Sequence, residues 1–100
     1  MAKKALLTWN IRPGSEREHF QHIRRFVGKI ATLGLDLADA WYTVYGDAPQ
    51  ILLGIVSQEG EEQLESSLLS PQWREAVAEL DPYIADYRQR IVLATGQFQF

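Results

Sequence analysis

The spacing of hydrophobic positions changes several times along this chain, and each change predicts an element. Residues 5–11, "ALLTWNI", are apolar and β-favourable, and Arg12-Pro13-Gly14 ends them, which predicts a strand and a turn. Ser15 with Glu18 three residues on is a capping-box pattern. Phe20, Ile23, Val27, Ile30 and Leu33 then recur at helical spacing up to Gly34. Residues 37–45 are rich in aromatic and β-branched side chains, "GDAP" (46–49) reads as a tight connection, and "QILLGIVS" (50–57) is the next strand, so 37–57 is expected to form a hairpin. Leu64 and Leu68, four apart within residues 61–69, mark a short helix.

Ser70-Pro71 cuts that apolar run. Proline lacks an N–H and has a fixed φ, so it suits the first turn of a helix, and serine before it is a good N-cap. One helix is expected to stop here and another to begin at an angle, with Trp73, Ala76, Val77 and Leu80 facing inward and Asp81-Pro82 closing it. Tyr83, Ile84 and Tyr87 suit a helical turn as well as a strand, and a last strand is expected over 88–98.

The order β-α-β-β-α-β is ferredoxin-like: one α+β domain over residues 1–100, a four-stranded antiparallel sheet with helices on one face. Ala5, Leu7, Trp9 and Ile11 fall on one side of the first strand and Leu6, Thr8 and Asn10 on the other. In the third strand Ile51, Leu53 and Ile55 oppose Leu52, Gly54 and Val56. Neither strand shows a polar side, whereas a half-wet antiparallel sheet should alternate. The helix-free face is therefore expected to be covered by a second copy in a symmetric dimer.

Length and composition sharpen this picture. At 100 residues the chain is one ordinary domain. It buries roughly two thirds of its unfolded surface, so a partner subunit helps. A net charge of −3 gives no electrostatic case for nucleic acid or an anionic membrane. An RNA-recognition domain shares the element order, but its third strand needs a basic-aromatic motif that "QILLGIVS" lacks. The absence of cysteine removes thiol catalysis, thiolate metal sites and disulfides. The N-terminal apolar run is too short for a secretory core and no run reaches transmembrane length, so a cytoplasmic location is expected.

"RPGSEREHF" (12–20), the element order and the "SPQWREA" break (70–76) together resemble the dimeric α+β barrel superfamily of antibiotic-biosynthesis monooxygenases and heme-degrading monooxygenases. The resemblance implies dimers with two sheets face to face and a ligand cavity between each sheet and its own helices. It also implies that Trp73 is the structural aromatic of the late-helix motif. Heme-degrading members use an asparagine, a tryptophan and a histidine. Counting from Gly14 and Ser70, the matching positions are Leu7, Ser67 and Val77, so heme degradation is not expected. What the resemblance leaves is a small aromatic ligand and, in the catalytic case, a cofactor-independent monooxygenase. In such enzymes the protein deprotonates the substrate and the substrate anion reduces oxygen. A non-catalytic dimerisation or ligand-sensing module is the alternative.

Candidate chemistry is sparse. His19 and His22 lie three apart on the first helix, and no further ligand motif supports a metal site. His19 falls inside the apolar stripe, either as a cavity acid–base or hydrogen-bonding group or as a structural histidine. Trp9, Trp41, Tyr42, Tyr45, Trp73, Tyr83 and Tyr87 could line a pocket for a flat ligand or belong to the core and dimer interface. Arg88 and Arg90 share one face of the last strand, as anion ligands or as rim ion pairs. The acidic run Glu59, Glu61, Glu62 and Glu65 suits a helix start on a solvated face, and Asn10 is a further pocket candidate. His19, Trp73 and Arg88 are the residues expected to line the site.

Overall fold

The computed structural model describes residues 2–94. Its elements are β1 (Ala2–Ile11), α1 (Glu16–Ala31), β2 (Leu35–Tyr42), β3 (Ile51–Ser57), α2 (Glu61–Leu68), α3 (Pro71–Ala78), a 3-10 turn (Asp81–Tyr83) and β4 (Ile84–Ala94). The sheet order is β2-β3-β1-β4 with every neighbour antiparallel, which is the ferredoxin-like α+β arrangement expected from the element order. The helices cover one face. Ala5, Leu7, Trp9 and Ile11 of β1 and Ile51, Leu53 and Ile55 of β3 are buried there with Phe26, Ile30, Leu64, Leu68, Trp73, Ala76 and Leu80.

Several boundaries differ from the sequence expectation, each for a local reason. Ser15 is the N-cap of α1, but its backbone (φ −106°, ψ 11°) is not extended and its side chain makes no capping bond, so no capping box forms. β2 ends at Tyr42, and after one further pairing bond (Thr43 N–H to Gln50 O, 2.8 Å) the chain leaves the sheet. Val44 and Tyr45, expected in the strand, are 91% and 95% exposed. The connection is therefore longer than "GDAP". Phe20, placed in the apolar stripe, is 42% exposed, although its ring sits edge-on to His19. β4 begins at Ile84, so Ile84 and Tyr87 are strand while Tyr83 ends the 3-10 turn; residues 95–98 of the expected strand lie outside the described residues.

Two bulges break the two-residue alternation. In β2 the register shifts between Leu37 and Asp39, so Leu35, Leu37, Ala40 and Tyr42 share the helix-facing side while Asp39 and Trp41 face the other way. In β4 the shift falls opposite the step from Thr8 to Asn10, where Asp86 adopts φ 57°. Ile84 and Tyr87 consequently both reach the helix side although they are three residues apart.

The opposite face carries Leu6, Trp41, Leu52, Val56 and Val92 together with Arg88 and Arg90. Lys4 and Asp39 form a half-buried ion pair across it at 2.8 Å. Between them lies Gly54, where a Cβ would stand 2.8 Å from the Asp39 carboxylate. Glycine is what allows Asp39 to cross β3 and reach Lys4.

Candidate functional site

The Ser70-Pro71 break builds the site. Ser70 Oγ accepts from the Trp73 backbone N–H at 3.2 Å and donates to Ser67 O at 2.7 Å, while Pro71 occupies the first helical turn. α2 and α3 therefore meet at a fixed corner, and α3 presents Trp73 to the sheet. The indole is 2% exposed and packs edge-on against Phe26 with ring centroids 5.7 Å apart. Its N–H donates to Gln89 Oε1 of β4 at 3.0 Å.

A line of side chains runs inward from the exposed Gln89. Tyr87 Oη donates to the same Gln89 oxygen at 2.8 Å, and the Tyr87 ring stacks on Trp9 at 6.0 Å. Trp9 in turn donates its indole N–H to His19 Nε2 at 2.9 Å. An indole nitrogen can only donate, so His19 Nε2 must carry a lone pair and the neutral ring bears its proton on Nδ1. That Nδ1 is buried and has no hydrogen-bond partner among the described residues. Burial lowers the His19 pKa from its ordinary value and raises that of the Tyr87 phenol, so both groups are neutral at physiological pH.

Between α3 and β4 lies a groove of about 520 Å³ lined by Leu68, Trp73, Val77, Tyr87 and Gln89, with Arg74 and Asp81 at its exposed edges. Its size is that of small-molecule sites. A second hollow of about 380 Å³ adjoins it, sharing Leu68 and Gln89 and bounded by Leu69, Ile91, Glu65 and Arg90.

The three expected site residues take different places. Trp73 lines the groove. His19 is fully buried behind Trp9 and joins the groove only through the Trp9–Tyr87 stack. Arg88 pairs with Thr8 on the opposite face of the sheet, beside a separate polar hollow of about 290 Å³ that includes Asn10 and Asp86. The structure does not bring Arg88 together with Trp73. His22 turns aside as well: Nδ1–H donates to Glu18 O at 2.8 Å and the ring lies over Tyr83. Among the described residues no group of three or more His, Cys, Asp or Glu side chains could hold a metal ion.

Gln89 was not singled out in the sequence. The signal for it was indirect: if Arg88 and Arg90 share one face, Gln89 lies on the other. Assigning that face to the helices needed the sheet register.

Neither a family model nor a curated protein sequence matches the chain. Solved structures do match its fold. An uncharacterised NIPSNAP-like domain protein from Burkholderia xenovorans is 22% identical, with 97% of this chain and 88% of that chain covered and a TM-score of 0.64. An antibiotic biosynthesis monooxygenase is 15% identical over 93% and 98% of the two chains, with a TM-score of 0.60. A protein from Bacteroides fragilis described as dimeric, of unknown function and ferredoxin-like fold, is 11% identical over 90% and 93%, with a TM-score of 0.61. The fold is thus the one expected from the superfamily resemblance, shared with NIPSNAP domains and antibiotic biosynthesis monooxygenases.

Proposed function

We propose that this protein binds a flat aromatic small molecule in the groove between α3 and β4, and does so as a homodimer joined through the helix-free sheet faces. The observation that carries the reading is the groove itself: about 520 Å³, with Trp73 and Tyr87 as aromatic walls and one amide, Gln89, between them. The fold likeness to an antibiotic biosynthesis monooxygenase and to a protein described as dimeric supports both parts.

In its catalytic form the reading is a cofactor-independent monooxygenase. Its base would be Asp81, the one carboxylate among the described residues that line this groove. A non-catalytic, ligand-sensing reading is favoured by a specific observation. His19 Nε2 is already occupied by Trp9, and the Tyr87 phenol is held protonated, so neither serves as a base towards the groove.

The test is a titration with two- and three-ring aromatics followed by the indole N–H resonances of Trp9, Trp41 and Trp73. Shifts at Trp73 and not at Trp41 are expected. Shifts confined to Trp41, or none across the panel, remove the groove as a ligand site. Oxygen consumption with a dihydroxynaphthalene, abolished by Asp81→Asn, separates the catalytic form from the sensing form.

A further inference from the structure

Building on the groove reading above, we infer that Gln89 selects a ligand whose oxygen accepts hydrogen bonds, an aryl carbonyl, and that Trp73 is the positioning residue that sets this polarity. A glutamine side chain can present either its oxygen or its NH2 group. The choice here is fixed by chemistry. The Trp73 indole N–H can only donate, so the Gln89 atom 3.0 Å from it is the oxygen. The Tyr87 hydroxyl, 2.8 Å from the same oxygen, donates to it too. Both lone pairs of Oε1 are then taken.

The two N–H bonds of the Gln89 amide have no protein partner among the described residues. Gln89 is solvent-exposed and lines both hollows, the first with Trp73, Tyr87 and Leu68, the second with Leu69 and Ile91 and with Glu65 and Arg90. A ligand filling this groove takes water away from those donors, and a desolvated donor without an acceptor is costly. A carbonyl attached to an aromatic ring meets both needs, with its ring between the apolar walls and its oxygen on the amide. A ligand whose only polar group is an N–H without an acceptor lone pair, such as an indole, faces like donors and is disfavoured. Charge does not make the choice, because Arg74 and Asp81 border the same groove with opposite signs.

The experiment compares 2-acetylnaphthalene with 2-ethylnaphthalene, which has a similar shape but no acceptor, by titration of the full chain. The ketone is expected to bind roughly three- to tenfold more tightly, the worth of one net hydrogen bond. Gln89→Glu keeps an acceptor for Trp73 and Tyr87 but replaces the NH2 with a second oxygen, so the preference should vanish or reverse. Trp73→Phe frees the amide to turn and should shrink the same ratio. Equal affinities in the native protein, or a ratio that survives Gln89→Glu, overturn the assignment while leaving the groove an aromatic site. If neither probe binds, the groove reading falls and the assignment falls with it.

Discussion

His19 shows how much one residue's chemistry depends on what lies against it. In the folded protein its Nε2 accepts the Trp9 N–H and its pKa is lowered by desolvation. The unfolded chain therefore binds a proton at His19 that the folded chain refuses. Stability rises with pH wherever the unfolded state holds more protons, so this contribution is intact above the unfolded pKa of about 6.5 and is lost as pH falls below it. Thermal melts between pH 8 and pH 5 should show the native protein losing more stability than His19→Phe over the same range. Parallel curves would mean that His19 takes up its proton without unfolding. Trp9→Phe removes the hydrogen-bond donor to a buried imidazole nitrogen and should cost about 1–3 kcal/mol.

At the scale of elements, the two serine caps make a matched pair. Ser70 caps α3 with a real bond to the Trp73 N–H, whereas Ser15 sits at the start of α1 without one. Ser70→Ala should cost about 1 kcal/mol, roughly 4–8 °C in Tm for a domain of this size. Ser15→Ala should stay within about 0.5 kcal/mol. Equal losses at both sites would contradict the cap geometry. Both serines read as helix starts in the sequence, Ser15 from the Glu18 spacing and Ser70 from the proline that follows it. Backbone dihedrals distinguished them: ψ is 149° at Ser70 and 11° at Ser15. The bulges are a similar case. Residues 83–87 are ambiguous in the sequence because Tyr83, Ile84 and Tyr87 suit a helical turn as well as a strand, and the bulge at Asp86 is what puts Ile84 and Tyr87 on one face of a strand.

For the whole molecule, the decisive feature is the uncovered sheet face. Leu6, Trp41, Leu52 and Val92 lie on the side away from the helices, and Trp41 is 54% exposed. A protein of this size gains from burying such a surface against a copy of itself. Sedimentation at micromolar concentration should give twice the 11.4 kDa chain mass. Leu6→Glu should shift the population to monomer. Gly54→Ala pushes a Cβ into the Asp39 carboxylate, separates it from Lys4 and should weaken association in the same assay. A stably folded monomer in the unaltered protein would break the dimer reading.

The sequence by itself determined the order of elements, the ferredoxin-like fold, the corner at Ser70-Pro71 and the presence of apolar residues on both sides of the first and third strands. These follow from local rules: side-chain period, proline and glycine geometry, and the composition of each strand. The tertiary structure alone decided which face the helices cover and that His19 lies sealed behind Trp9. It also decided that Arg88 points away from Trp73 and that Gln89 points towards it. Those outcomes depend on strand register, and one extra residue in a bulge sends every following side chain to the opposite face. Periodicity records which residues share a side. Only the assembled sheet fixes which side holds the groove.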